Sequence, residues 1–162
     1  GEFGQWTEWN FKQGLEWHVL DFPQHKGVQH LIQDLNHLYR YEACMHQHQF
    51  DPKGFEWIAA DDHKNAVLSF IRKGEKAHEF VVVVLNFTPN VLHEYRIGVP
   101  EKGTYTEILN SDNARYWGSD VQNTEVKSEA VAQHGKLHSI AITLPPLGGA
   151  VFKIKGKKSR KS

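Results

Sequence analysis

The sequence predicts a mainly β protein: an antiparallel Greek-key β-sandwich of about eight strands, preceded by one α-helix and an irregular loop. Three observations support this prediction. Short β-rich runs separated by turn residues fill the chain from about residue 54 onward, a single helical stripe precedes them, and an aromatic stretch without regular periodicity opens the chain.

The β-rich part contains eight apolar runs. They cover 55–60, 65–73, 79–88, 93–99, 104–109, 124–132, 137–144 and 149–155. Turn clusters such as Gly74-Glu75-Lys76 and Thr88-Pro89-Asn90 separate them. The run 79–88 is apolar throughout its middle, which is typical of a central strand buried on both faces. Strands at this spacing, without intervening helices, indicate an antiparallel sandwich and exclude a parallel-sheet fold.

The segment 27–43 is the only helix that we predict. Its apolar residues recur at the spacing of one helical face, namely Val28, Leu31, Ile32, Leu35, Leu38 and Tyr39. A single helix ahead of a complete β domain has an unmatched apolar face. The helix either packs on the sandwich or is the last element of a larger domain, and the abrupt start of the chain favours the second interpretation.

The two ends of the chain lack a regular pattern. Residues 1–26 are aromatic and irregular, and we predict a loop there with at most a short turn of helix. Residues 156–162 are densely basic, which favours a disordered tail, with a nucleic-acid or membrane contact as the alternative.

Composition narrows the class of protein. The 19 basic and 19 acidic residues balance, which argues against a general nucleic-acid binder, because phosphate neutralisation needs surplus Lys and Arg. Cys44 is the sole cysteine, so no internal disulfide can form and a reducing compartment is expected. The chain has no apolar run long enough to span a membrane. We therefore expect a cytoplasmic protein that binds neither nucleic acid nor membrane.

Several long stretches carry a family resemblance. In order, they include GEFGQWTEWN, FDPKGFEWI, LNFTPNVLHEYRIGVP, EILNSDNARYWGS and HGKLHSIAITLPPLGGAVF. Together they resemble the C-terminal portion of a bacterial glycogen branching enzyme, a 1,4-α-glucan branching enzyme of the α-amylase superfamily. The resemblance runs from Gly1 to about Ile154.

The resemblance implies a division of the chain. Residues 1–49 would be the end of a catalytic (β/α)8 barrel, with its last loop and the helix 27–43. Residues 50–155 would be the C-terminal β-sandwich, and 156–162 the basic tail. On this interpretation the chain begins inside a barrel loop because it is a fragment. It also departs from the family pattern by continuing into a basic tail.

The chemistry implied by the family is absent from the chain. Retaining cleavage of a glucan needs a carboxylate nucleophile and an acid/base about 5 Å apart. The family carries these residues on earlier barrel strands, and their motifs are not found here. We interpret the remaining candidates as structural: Glu2, Glu8, Glu16, Asp61 and Asp62. No residue is assigned as catalytic, and we expect the chain to be inactive by itself, although its parent is a glycosyltransferase.

No metal or cofactor is expected. His30, Asp34 and His37 share one helix face, but such residues usually form a solvated surface. His46 and His48 are no better candidates for metal ligands, because they flank one residue in a predicted loop. Cys44 is best interpreted as a small hydrophobic residue at a helix end.

Tryptophans are the remaining candidates for substrate binding. Indole rings stack on the apolar faces of sugars. Trp6 and Trp9 lie in the opening loop, Trp57 begins the first strand, and Trp117 lies in a later loop. Packing in a core is the alternative for each of them, and we favour it for Trp6, Trp9 and Trp17.

Trp57 is the most specific of these candidates. Side chains alternate in a strand, so Phe55 and Trp57 share one face while Glu56 and Ile58 share the other. If Ile58 points into the core, Trp57 points outward, beside the polar residues 61–63. The alternative, which we favour, is that the face with Phe55 and Trp57 is buried under the helix.

Three functions remain open. The first is a fragment of a branching enzyme that stabilises the barrel and contacts α-glucan such as glycogen or maltooligosaccharide. The second is a stand-alone carbohydrate-binding module, and the third is a purely structural domain. The expected partners are α-glucan and the catalytic barrel of the parent chain, with self-association through the helix 27–43 as a further expectation.

Overall fold

The computed structural model describes residues 1–156, so the predicted basic tail lies outside the described residues except for Gly156. Two helices precede the strands: α1 (Pro23–Tyr41) and α2 (Ala43–His46). The strands are β1 (Phe55–Asp62), β2 (Val67–Lys73), β3 (Phe80–Asn86), β4 (Leu92–Val99), β5 (Thr104–Asn110), β6 (Glu125–Lys127), β7 (His138–Leu144) and β8 (Gly149–Ile154). Short 3-10 turns cover Trp17–Asp21, Pro52–Gly54 and Ala114–Tyr116.

The strands form two packed antiparallel sheets. Six strands are ordered β1-β2-β3-β8-β5-β6, and β4 pairs with β7 in the second sheet. The chain crosses between the sheets after β3, after β4, after β6 and after β7, which places β8 between β3 and β5. The prediction of an antiparallel sandwich of eight strands is confirmed.

The core lies between the sheets and extends to the helical side. Its central members are fully buried, among them Ile71, Val82, Val84, Ile140 and Phe152. On the other face of the large sheet, Val81, Val83 and Val151 pack against Leu31 and Leu38 of α1. β3 is therefore covered on both faces, which is the physical reason for its continuous apolar run.

Two predicted boundaries need correction, and one short helix was missed. α1 begins at Pro23, four residues before the expected start, because Pro occupies the first turn of a helix without losing a hydrogen bond. The short helix α2 was not predicted. The expected strand 124–132 is confined to β6, which pairs with the beginning of β5, and Glu129 then forms only an isolated bridge with Ser139.

The apolar stripe of α1 divides into two parts. Leu31 and Leu38 pack on the large sheet. Val28, Leu35 and Tyr39 lie further round the helix and keep 38%, 38% and 45% of their surface exposed. The helix is thus docked on the sandwich, and an exposed half-stripe of these three residues remains.

Polar contacts fasten the helices to the large sheet. The Lys153 ammonium donates to both carboxylate oxygens of Glu42, at 2.6 and 2.8 Å. The Arg72 guanidinium donates to the carbonyl of Met45 at 3.2 Å. Neither helix of the described residues has the length and apolar character that crossing a membrane requires.

Candidate functional site

Three aromatic residues form a cluster on the helical side of the large sheet, at its edge. Trp57 lies directly opposite Phe70 in the pairing of β1 with β2. The rings of Phe55 and Phe70 are stacked with centroids 5.2 Å apart, and the Trp57 ring stands nearly perpendicular to both, at 4.9 and 5.9 Å. We call Phe55, Trp57 and Phe70 the edge aromatic cluster.

The Trp57 side chain is held by this packing but remains 51% exposed, whereas Ile58 is buried at 8% in the core between the sheets. The side chain therefore points outward. Burial under the helix, which the sequence analysis favoured, does not occur within residues 1–156, because α1 and α2 cover the more central strands of the sheet.

The expected polar rim beside Trp57 needs correction at Asp62. Asp62 accepts hydrogen bonds from Tyr95 at 2.8 Å and from the Asn65 amide at 2.9 and 3.1 Å. Burial acts to raise the pKa of Asp62, but these hydrogen bonds outweigh it and keep the pKa below its usual value. Because Tyr95 belongs to the second sheet, Asp62 is directed to the side of β1 that faces away from Trp57.

The opening loop exposes two of the candidate tryptophans. Trp6 is 62% exposed, and its ring lies 5.5 Å from those of Phe22 and His25. Trp9 is 74% exposed and contacts the ring of Phe11 at 6.3 Å. Neither side chain is packed in a core formed by residues 1–156.

Glu16 organises this loop. One of its carboxylate oxygens accepts hydrogen bonds from the backbone N–H groups of Trp6 and Thr7, at 2.8 and 3.0 Å. These hydrogen bonds lower the pKa of Glu16, and the bond from the Thr7 N–H has the largest effect. Trp17 stacks on the buried Phe3 at 5.2 Å but is itself 59% exposed, so residues 1–156 by themselves do not place it in a core.

Trp117 occupies the loop after β5, near the other edge of the large sheet. Its ring is 61% exposed, and its backbone adopts a left-handed conformation with φ of 69°. The preceding residues form a 3-10 turn that rests on α1. The structure does not bring the four candidate tryptophans into one site, because Trp57 lies on β1 and Trp117 follows β5, four strands away.

The other polar candidates have structural partners. Asp34 accepts a hydrogen bond from Tyr116 at 2.6 Å and lies 3.5 Å from Arg115. Burial raises the pKa of the Cys44 thiol to about 11, so the thiol is protonated at neutral pH. Within residues 1–156, no group of three or more His, Cys, Asp or Glu side chains could hold a metal ion.

Sequence reasoning missed a charged group at the open end of the sandwich. Glu56 pairs with Lys136 and Lys73, and its pKa is lowered by hydrogen bonds from these two ammonium groups. The three side chains border a cavity of about 400 Å³. Strand alternation places Glu56 on the inner face with Ile58, but the distant Lys136 left no local signal in the sequence.

Comparison with known proteins now decides the family. Residues 57–155 match the family described as "Alpha amylase, C-terminal all-beta domain". The chain belongs to this family. Among solved structures, the alpha-amylase from H.orenii superposes with a TM-score of 0.48 at 16% identity, covering 79% of this chain and 20% of that one.

Curated relatives of the domain are named 1,4-alpha-glucan branching enzyme GlgB. The enzyme of Aquifex aeolicus is 43% identical over 96% of this chain, and GlgB 1 of Xanthomonas axonopodis pv. citri is 50% identical over 93%. The enzyme of Rubrobacter xylanophilus is 48% identical over 91%. The resemblance to branching enzymes is confirmed. The chain spans 25%, 21% and 20% of the lengths of these three relatives.

Proposed function

We propose that this chain serves as the C-terminal part of a 1,4-α-glucan branching enzyme. The whole enzyme would transfer α-1,4-glucan segments to form α-1,6 branches in glycogen synthesis. Residues 1–49 would complete the catalytic barrel and residues 50–155 would form the C-terminal sandwich. The observation that carries the proposal is the identity of 43–50% to branching enzymes over more than nine-tenths of the chain.

The first role that we propose is to stabilise the catalytic barrel. The half-stripe of Val28, Leu35 and Tyr39 is exposed on the side of α1 that does not contact the sandwich. Phe22 at the start of the helix is also 45% exposed. Contiguous apolar surface of this kind marks a contact with another surface. The remaining three-quarters or more of the relatives' length supplies a candidate, the catalytic barrel, and self-association is the alternative.

Catalysis itself would reside outside this chain. A retaining transfer needs two carboxyl groups about 5 Å apart with free access to the sugar. The carboxylates of Glu16, Glu56 and Asp62 are engaged by backbone N–H groups, lysines, and Asn65 and Tyr95 respectively. They act as structural acceptors rather than as a nucleophile and an acid.

The second role that we propose is contact with α-glucan through exposed indole rings. Trp57 is the main candidate, because the edge aromatic cluster holds its ring while leaving half of it open. Trp6, Trp9 and Trp117 are further candidates. A glucan chain held at such a position has a raised effective concentration at a distant active site, which would benefit an enzyme acting on a polymer.

Complementation in trans tests the first role. The Xanthomonas axonopodis enzyme is shortened so that it lacks the matching region, mixed with this chain, and assayed by the loss of iodine colour from amylose. We expect activity from the mixture and less activity with Leu35→Glu, because burying an unpaired charge disrupts an apolar contact. Phe50→Glu is the control, since Phe50 is 96% exposed outside the half-stripe.

Three results would contradict this role: no activity in the mixture, equal activity with both variants, or a stable dimer that Leu35→Glu dissociates. Light scattering on the isolated chain measures the last of these. A dimer would favour self-association through α1 instead.

Titration with maltoheptaose tests the second role and separates the alternatives. We expect a short oligomer to bind with roughly millimolar affinity, equivalent to about −4 kcal/mol, of which one stacking contact contributes about 1 kcal/mol. We expect Trp57→Ala to weaken binding about fivefold. Binding without any complementation of the shortened enzyme would indicate a stand-alone carbohydrate-binding module. Complementation without binding would indicate a purely structural domain.

A further inference from the structure

The opening loop is closed at its base by one carboxylate. The Glu16 oxygen that accepts from the N–H groups of Trp6 and Thr7, at 2.8 and 3.0 Å, joins two parts of the chain that are nine and ten residues apart. Hydrogen bonds to an ionised acceptor are about twice as strong as those between neutral groups. Residues 8–15 therefore leave and return at one point, which is the arrangement of an Ω-loop. We call residues 8–15 the tip.

The base of the loop is also fastened to the rest of the structure. Phe3 is 4% exposed and stacks on the ring of Trp17, the neighbour of Glu16 in the sequence. The Nδ1 of His25 donates to the carbonyl oxygen of Phe3 at 3.0 Å, which ties this part of the loop to the first turn of α1. Glu16 is thus the contact nearest to the tip in a base that has other attachments further away.

The tip exposes two aromatic rings. Trp9 and Phe11 are each 74% exposed, and their ring centroids lie 6.3 Å apart. A turn holds them near each other, because the carbonyl of Asn10 accepts from the N–H of Gln13 at 3.1 Å and its side-chain oxygen accepts from the N–H of Lys12 at 3.0 Å. Packing among the described residues does not account for two open rings on an ordered turn, whereas contact with a ligand does.

The position of the loop indicates what the tip would meet. The loop leads directly into α1, which would be the last helix of the catalytic barrel. In a (β/α)8 barrel, the loop that precedes a helix lies at the C-terminal ends of the strands, where active sites are built. The tip would then stand at the rim of the cleft that receives the glucan, and aromatic rings match the apolar faces of sugars.

We infer that Glu16 is a positioning residue for glucan binding in the branching reaction. It holds the tip in the conformation in which Trp9 and Phe11 meet the substrate, and it acts through the tip rather than on the reacting bond. The inference rests on the proposed function, which supplies both the barrel and α-glucan. A loop that is ordered before binding loses less conformational entropy when its ligand arrives. Removal of the Glu16 carboxylate should therefore weaken binding without changing the chemical step.

Titration of the full chain with maltoheptaose tests the inference. In a nitrogen-15 labelled sample, the amide signals of the tip report binding, and hydrogen exchange of the Trp6 and Thr7 amides reports closure of the base. We expect the tip signals to shift and saturate. Glu16→Ala should speed the exchange and raise the Kd at least about fivefold, the factor that corresponds to one lost stacking contact. Glu16→Gln should keep most of the affinity, because its amide oxygen also accepts from N–H groups.

Kinetics separate positioning from a merely structural role. In the mixture of this chain with the shortened branching enzyme, Glu16→Ala should raise the KM for amylose and leave kcat nearly unchanged, because it removes binding energy that is common to substrate and transition state. Glu2→Ala is the matched control. It removes the same charge from the same loop, where Glu2 accepts from the N-terminal ammonium group at 3.2 Å, and it should leave the Kd and the tip signals unchanged. The unfolding midpoint of each variant shows that the fold persists.

The inference is overturned if the tip signals stay fixed, if Glu16→Ala leaves the Kd unchanged, or if Glu16→Gln loses as much affinity as Glu16→Ala. A fall in kcat at constant KM would also contradict it. Fixed tip signals together with a shift at Trp57 would leave the second proposed role intact. An inactive mixture would refute the barrel-stabilising role, while titration of the chain by itself still decides the role of Glu16, so the failures are distinguishable.

Discussion

Replacing Gly27 with Ala should destabilise this protein, although the same change stabilises most helices. Alanine is favoured over glycine in a helix interior by about 1 kcal/mol. At Gly27, however, the added Cβ would lie 2.5 Å from the carbonyl oxygen and 2.7 Å from the carbonyl carbon of Tyr116. Both atoms are backbone in a hydrogen-bonded loop, so relief requires the loop or the helix to move.

The size of the effect follows from these opposing contributions. Overpacking of a well-packed contact costs typically about 1–3 kcal/mol. Displacing the loop also weakens the hydrogen bond of Tyr116 to Asp34, worth about 1.5–3 kcal/mol when the acceptor is charged. After subtraction of the helix-propensity gain, we expect a net loss of about 2 kcal/mol, which corresponds to a fall in Tm of roughly 4–8 °C for a domain of this size.

Urea and thermal unfolding, followed by far-UV circular dichroism, measure this loss. Asn36→Ala is the control, since Asn36 is exposed on the same helix and should gain a few tenths of a kcal/mol from helix propensity alone. If Gly27→Ala raises the stability as Asn36→Ala does, the close approach of the turn Ala114–Tyr116 to α1 does not limit the stability of the fold.

Three further predictions concern the core, the charged group and catalysis. Phe152→Ala removes a fully buried ring and should lower the free energy of unfolding in urea by about 3–5 kcal/mol. Phe50→Ala should stay within about 0.5 kcal/mol of the unsubstituted chain. Similar losses for the two variants would place Phe152 outside the core. Glu56→Gln should lower the free energy of unfolding by roughly 0.5–1 kcal/mol at neutral pH. A loss of stability that does not change with pH would contradict the pairing of Glu56 with Lys73 and Lys136. Because the pKa of Glu56 is lowered by folding, this contribution is fully present above the ordinary pKa of 4.5 and disappears as the pH falls through the lowered value. The isolated chain should not change the iodine colour of amylose, and a loss of colour above that of a boiled sample would show a catalytic pair that we have not recognised.

Local patterns determined the secondary structure of this protein to a large extent. The eight β-rich runs and the stripe on α1 could be predicted because strand and helix periodicity are imposed by the backbone on every few residues. The start of α1 could also have been predicted, since Pro23 is a signal for the first turn of a helix. The prediction instead placed the start near the first residue of the apolar stripe. Alternation showed that Phe55 and Trp57 share a face of β1, but it did not decide which face is buried.

Long-range contacts were decided only by the tertiary structure. The division of the α1 stripe depends on where the large sheet lies, because Leu31 and Leu35 are equally apolar in the sequence. The diversion of Asp62 to Tyr95, 33 residues away, and the pairing of Glu56 with Lys136, 80 residues away, left no local trace. The close approach of the turn Ala114–Tyr116 to α1 likewise depends on the fit between Gly27 and Tyr116. Periodicity reports which face of an element is apolar, whereas the identity of the partner across that face is set by the packing of the whole chain.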